Sequence, residues 1–298
     1  FIPKSFNLIP NPFGTAPGFW GKVENTLVVS MPGPPREMEP MFRSSVLPLL
    51  RKNLGMKEEE RDEYSTFLIS EAKLEELTRA ADPSLDWGTR FQDYRISLYV
   101  SGGDKTKRQE AIKKLREMTG RERVVEGDKS ALGLLVEELK ERGETISCAE
   151  SCTGGLAASN LTSLPGSSSY MMGSVTSYFL SVKEKVLGVK KETLEEYGAV
   201  SEECALEMAD GVRRVISSDW AFSITGVAGP DKSEGKEVGT VCLGFSGKDR
   251  ESVAVTIHLF SFGRESIRRR STAAAFILMK AFMQGEDIKD IVQGWTVF

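Results

Sequence analysis

Thr145-Ile146-Ser147-Cys148-Ala149 runs straight into Glu150-Ser151-Cys152-Thr153-Gly154-Gly155 and then Leu156-Ala157-Ala158-Ser159-Asn160-Leu161. The first five residues are small or apolar and read as a strand. The residues from Thr153 to Leu161 read as a helix rich in small side chains. A strand that turns at once into a helix is the repeating step of a layered α/β fold. Such a junction also gathers backbone N–H groups and the positive end of a helix dipole at one point.

The pattern continues outward from that junction. Ser130 to Arg142 reads as a helix, with Gly143 as its stop. Downstream, Val175 to Phe179 reads as a strand and Ser181 to Leu187 as a helix. Glu202 to Ile216 reads as a helix and Trp220 to Ile224 as a strand. Val238 to Phe245 and Ser252 to Leu259 read as a strand pair, and Arg264 to Met283 as a long last helix. The alternation predicts a layered α/β domain with a mixed sheet. Upstream lies a smaller α+β segment: a helix over Glu71 to Ala81, a strand over Arg95 to Val100 and a helix over Thr106 to Thr119. The charge run Lys57 to Glu63 reads as a boundary or solvated face. Before it, Asn11 to Gly18 is a loop, Thr26 to Ser30 a strand, and Arg36 to Leu54 a helix. Phe1-Ile2-Pro3-Lys4 lacks a start methionine and a signal-peptide layout, so the chain is expected to begin inside a domain.

Composition narrows the chemistry. The 298 residues carry a net charge of −4, which gives no overall field for nucleic acid. No apolar run reaches the roughly 18–20 residues of a membrane span. Cys148, Cys152, Cys204 and Cys242 form no CxxC pair, which argues against a zinc site or disulfide scaffold and points to a reducing, cytoplasmic setting. The only histidine is His258, within the alternating run Ser252 to Phe262. With one histidine on a strand, a Ser-His-Asp triad and a multi-histidine metal site are both disfavoured.

Ser151 is the candidate nucleophile, because a helix start supplies an oxyanion hole and Gly154 and Gly155 leave room for a substrate. The plain alternative is that Ser151 or Thr153 caps the helix. Cys152 is the rival nucleophile, but cysteine catalysis usually borrows a histidine. Tyr178 and Lys183 are the candidate bases. On one helix they would stand about 140° apart. They converge only if Tyr178 ends the strand and Lys183 opens the next helix, and a lysine serves as a base only when its pKa is lowered. Thr225-Gly226-Val227-Ala228-Gly229-Pro230 is a tight loop that can offer a hydroxyl and backbone donors. Ser151, Tyr178 with Lys183, and Thr225 each follow a predicted strand, the usual address of a ligand in an open α/β sheet. Arg264 and Arg268 share a helix face. Arg264 sits in the first turn, where the dipole disfavours a cation, so an anionic partner is expected there. Its bland alternative is a surface pair with Glu265.

These motifs, in order, resemble the CinA (competence/damage-inducible protein) family. The resemblance rests on Glu150 to Gly155, Leu164-Pro165-Gly166-Ser167-Ser168, Tyr178 and Lys183 leading to Leu187-Gly188-Val189, Gly198-Ala199-Val200-Ser201, the Thr225 to Pro230 loop, Val238-Gly239-Thr240-Val241, and Gly263-Arg264 with Arg268. It covers about 130 to 285. It implies a nicotinamide mononucleotide amidohydrolase that releases nicotinate mononucleotide and ammonia. Ser151 would be the nucleophile, with Lys183 and Tyr178 activating it. Glu150, Cys152, Thr153, Gly154, Gly155, Thr225, Gly226, Gly229, Arg264 and Arg268 would bind substrate. No cofactor is implied for this domain.

Asn11 to Gly18 and Pro32 to Met38 look like the end of the family's molybdopterin-binding-like domain, which hydrolyses ADP-ribose with a divalent metal in some members; that activity and metal are expected only where the domain is intact. Residues 56–127 resemble the family's KH-like linker. It shows no GxxG loop, so no nucleic-acid partner is expected. The expected architecture is a three-layer α/β/α domain with a mixed sheet over 128–298, a small α+β KH-like domain over 56–127 and a partial α/β unit over 1–55. The expected partners are a small-molecule nucleotide and a second copy of the chain in a homodimer, with no membrane. Gly173-Ser174 and Phe179-Leu180 depart from the family pattern, and Leu180 removes a polar group near the site. A nucleotide-binding module without turnover is therefore the alternative.

Overall fold

Residues 5–55, 60–92 and 94–295 are described by the computed structural model. The chain divides into two units, Phe1–Glu60 and Arg61–Phe298. In the first, strands β1 (Asn7–Ile9), β2 (Gly18–Val23) and β3 (Thr26–Ser30) form an antiparallel sheet in that order. Only β3 was legible in the sequence. Gly18, read as the end of a loop, opens β2, and Gly21 within that strand leaves room for the Phe6 ring, which a Cβ there would approach within 2.7 Å. The predicted helix over Arg36 to Leu54 is two helices, α1 (Pro35–Met41) and α2 (Leu47–Leu54), joined by a π-turn over Phe42–Val46. In that turn the Leu47 amide bonds the Phe42 carbonyl. Pro48 lacks an N–H, and the widened turn eases its ring past the preceding carbonyls. Ile9, Met41 and Val46 form the core of this unit.

The second unit opens with strand β4 (Arg61–Phe67), so the charge run is not all boundary. Lys57, Glu58 and Glu59 of that run, like Phe1 to Lys4, lie outside the described residues. Asp62 accepts a 2.8 Å bond from Arg108, whose side chain is buried. The segment continues with α3 (Glu71–Ala81), β5 (Asp86–Gln92), β6 (Arg95–Ser101), α4 (Lys105–Thr119) and β7 (Val124–Glu126). The sheet runs β5-β6-β4-β7, antiparallel throughout. Leu74 of α3 and Ile112 and Leu115 of α4 pack with Leu98 and Val124. Ser70 and Asp104 cap the two helices through the Lys73 and Lys107 amides.

The remainder is α5 (Ala131–Arg142), β8 (Ile146–Glu150), α6 (Leu156–Thr162), β9 (Met171–Thr176), α7 (Leu180–Val182) with a π-turn over Lys183–Leu187, α8 (Lys191–Glu196), α9 (Glu202–Ile216), β10 (Trp220–Gly226), β11 (Thr240–Gly247), β12 (Arg250–His258), α10 (Arg264–Met283) and α11 (Ile288–Gln293). The sheet order is β12-β11-β10-β8-β9. Strands β9, β8 and β10 are mutually parallel; β11 and β12 are antiparallel. Alternate residues face opposite ways. Cys148 and Phe222 pack against α5, α6 and α10, whereas Ala149 and Ala221 pack against α9. This is the expected three-layer α/β/α arrangement with a mixed sheet. Phe282 and Phe276 meet Trp220 and Phe222 edge to face, each pair at 5.9 Å between centroids. Gly244 lets α9 lie close on the sheet, since a Cβ there would stand 2.3 Å from the Ala205 carbonyl oxygen. Among the described residues no helix is long and apolar enough to cross a membrane.

Two of the boundaries that move bear on the strand ends. The helix expected from Thr153 starts at Leu156, because Gly154 and Gly155 take left-handed φ values of 57° and 93° and make a turn first. The strand expected over Val175 to Phe179 is β9, which ends at Thr176. Chain connections from β8 lead to β9 on one side, and those from β9 cross to β10 on the other. The carboxyl ends of β8 and β10 therefore flank a topological switch point, where α/β sheets bind ligands.

Candidate functional site

A cavity of about 280 Å³ opens at that edge. It is lined by Ser151 after β8, by Tyr178, Leu180 and Lys183 after β9, and by Thr225 to Gly229 at the end of β10 and in the loop beyond it, with Arg264 from α10. The three strand ends singled out in the sequence thus meet at one place.

Glu150 is fully buried, and its carboxylate accepts hydrogen bonds from the amides of Gly155, Ala157 and Ala158 at 3.1, 3.0 and 2.9 Å. This corrects two expectations. Glu150 does not face a ligand, because its oxygens are occupied by the start of α6. The α6 amides likewise are not free to form an oxyanion hole, and neither Ser151 nor Thr153 is the cap; the internal carboxylate caps the helix instead. Within the turn, the amides of Cys152 and Thr153 have no hydrogen-bond acceptor among the described residues. The Ser151 amide donates to Ile224 O at 2.9 Å and ties the turn to β10.

Arg268 is also reassigned. Its Nη2 donates to Thr153 O at 2.7 Å and its Nη1 pairs with Glu265, so it braces the turn rather than lining the cavity. Thr153 is buried with Oγ1 unpaired among the described residues. Thr153, Gly154 and Gly155 shape the turn but do not line the cavity. Gly226 is held tight between strands, where a Cβ would stand 2.8 Å from Thr240 O.

Lys183 is 1% exposed, and its Nζ donates to Ser177 O at 2.6 Å. Burial lowers its pKa from the ordinary lysine value, against an upward pull from Cys204, Cys152 and Glu234. No hydrogen bond joins Lys183 Nζ to Ser151 Oγ among the described residues, although both line the cavity. Cys152 is 6% exposed, and burial pushes its thiol up to about 12. It is a neutral thiol near pH 7, which removes it as a rival nucleophile. Tyr178 is 62% exposed and does not sit on Lys183; its hydroxyl accepts from Arg264 Nη2 at 3.2 Å. Arg264 Nη1 donates to Gly229 O at 2.7 Å. The expected Tyr178–Lys183 pair is thus a Tyr178–Arg264 pair at the mouth, because β9 stops at Thr176 and turns Tyr178 outward. Thr225 is buried, with Oγ1 donating to Ala199 O at 2.6 Å, which leaves an acceptor lone pair on the hydroxyl. His258 is exposed on β12 and does not line the cavity.

Asp231, Ser233 and Glu234 line the cavity and were not singled out in the sequence. Glu234 accepts from the Val200 amide at 3.1 Å. The signal was the continuation of the Thr225 to Pro230 loop into Asp231-Lys232-Ser233-Glu234-Gly235, a turn-forming run rich in charge. Among the described residues no group of three or more His, Cys, Asp or Glu side chains is placed to hold a metal ion.

A family model described as the CinA C-terminal domain matches residues 128–283. A competence-damage inducible protein of Halothermothrix orenii is 35% identical over 294 residues, covering 95% of this chain and 70% of the relative. One of Bacillus subtilis is 39% identical over 282 residues, covering 90% and 67%. Among solved structures, the competence/damage inducible protein CihA from Agrobacterium tumefaciens is 34% identical with a TM-score of 0.50, covering 53% of this chain and 98% of that one.

Proposed function

The chain belongs to the CinA family, and from that premise we propose that its C-terminal domain hydrolyses the carboxamide of nicotinamide mononucleotide to nicotinate mononucleotide and ammonia. The observation that carries this reading is a buried lysine of lowered pKa in the same cavity as a serine, with no histidine to compete for the role. A neutral lysine has two N–H groups and one lone pair. Donating one N–H to Ser177 O leaves the lone pair for the Ser151 hydroxyl, once the two side chains close together around substrate. Ser151 Oγ then attacks the carboxamide carbon while its proton passes to Lys183. The amide of Cys152, the turn residue that lines the cavity beside Ser151, is the donor for the oxyanion. Collapse breaks the C–N bond, and the Lys183 ammonium returns the proton to the departing ammonia. Water, deprotonated by Lys183, hydrolyses the acyl-serine and regenerates it. Arg264 complements the substrate phosphate, and Asp231 and Glu234 complement the cationic pyridinium.

Ser151→Ala and Lys183→Ala should each cut ammonia release from nicotinamide mononucleotide by about 10³-fold or more. Full activity in both variants would sink the assignment. A second reading, nucleotide binding without turnover, draws support from the missing Ser151–Lys183 hydrogen bond. It requires calorimetric binding with no ammonia released, and measurable turnover rules it out.

A further inference from the structure

Where the four-stranded sheet meets the start of α10, a second cavity of about 320 Å³ shares no lining residue with the first. Its buried wall includes Leu68, Ile69 and Ile96. Its rim carries Phe91, 63% exposed, and Phe262, 70% exposed, together with Tyr94. Arg269 stands 5.7 Å from the Tyr94 centroid and Arg270 5.9 Å from that of Phe262, contacts that hold the two rings in place. Ser266 lines the same cavity at 3% exposure, and its Oγ has no hydrogen-bond partner among the described residues.

We propose that this cavity binds a flat heteroaromatic ring with a hydrogen-bonding edge, the class to which purine nucleosides belong. Buried hydroxyls are seldom left without a partner, so the partner of Ser266 belongs to what enters. Water satisfies a hydroxyl but leaves three aromatic side chains around an open space. An aliphatic guest fills the space but leaves the hydroxyl unpaired. A planar ring with a nitrogen or oxygen at its edge does both, stacking on Phe91, Tyr94 or Phe262 and pairing with Ser266 Oγ. The volume falls within the range of small-molecule sites.

Titration calorimetry of the full chain with adenosine tests the assignment. Phe91→Ala, an exposed change with little bearing on folding, should weaken binding by about tenfold or more. Ser266→Ala should weaken it by about fivefold to tenfold. Arg264→Ala, in the other cavity, should leave it unchanged. Three outcomes overturn the proposal: no binding at millimolar adenosine, binding that Arg264→Ala weakens and Phe91→Ala does not, or a Phe91→Ala and Phe262→Ala shift in sedimentation without adenosine binding, which would mean that a second copy of the chain covers this face.

Discussion

Two walls of the same cavity are built in opposite ways. The turn from Ser151 to Gly155 is tied on every side: a buried carboxylate holds α6, Arg268 holds Thr153 O, and Ile224 O holds the Ser151 amide. The facing segment Tyr178-Phe179-Leu180 is 62, 74 and 50% exposed, and among the described residues its one side-chain hydrogen bond is that from Arg264 to Tyr178. A group that must attack a substrate atom has to be held within a fraction of an ångström, whereas a group that greets the substrate need not be. The difference assigns chemistry to the first wall and ligand entry to the second. It also predicts that damage to the first shows in stability and turnover, and damage to the second in affinity.

The largest expected effect comes from Glu150. Glu150→Ala strips the acceptor from three amides at the start of α6, that of Ala157 buried and those of Gly155 and Ala158 partly so. The cost should be about 3–5 kcal/mol, read as a lower midpoint in urea unfolding at unchanged slope. A loss under about 0.5 kcal/mol would mean the turn is held by something else.

Lys183 gives the next test. Because burial lowers its pKa, catalysis needing the neutral amine should rise with pH through an apparent pKa below the ordinary lysine value, in kcat/KM against pH. The sign for stability follows. Its folded pKa lies below its unfolded one, so its favourable contribution is complete above the unfolded pKa and is lost as pH falls through the folded pKa. Lys183→Met should therefore abolish turnover while raising stability at neutral pH. A flat pH profile, or a methionine variant less stable than the parent, would remove Lys183 from the role of base.

The contrast between the walls also explains what the sequence could tell. The apolar runs put strand ends at 149, 179 and 224, each within three residues of the observed ends at 150, 176 and 226, so the shared address of Ser151, Lys183 and Thr225 was legible. The occupant of the α6 amides was not, because Glu150 lies at a strand end and sequence spacing does not say which way its side chain turns. Tyr178 was misplaced by three residues of strand, since Gly173 and Ser174 hide the β9 start and Phe179 resembles a strand residue. In the upstream sheet, β4 was hidden by Arg61-Asp62-Glu63, charged residues at the opening of a strand. Asp231 and Glu234 enter the cavity through loop geometry, which has no periodicity to read.

The smallest expected effects lie at the mouth. Arg264→Ala removes the cation proposed for the substrate phosphate, and KM should rise by about tenfold, roughly 1.4 kcal/mol, with a lesser change in kcat. Tyr178→Phe removes only the hydroxyl that accepts from Arg264. The guanidinium keeps its bond to Gly229 O, and the tyrosine is largely exposed, so water replaces the lost acceptor. Stability should stay within about 0.5 kcal/mol and KM should change by less than about threefold. If Tyr178 instead activates Ser151, as the family pattern implies, the same variant should lower kcat by about 10²-fold with KM nearly fixed. A kcat collapse in Tyr178→Phe would erase the division between a catalytic wall and a binding wall, and would require the mouth to fold inward onto Lys183 when substrate binds.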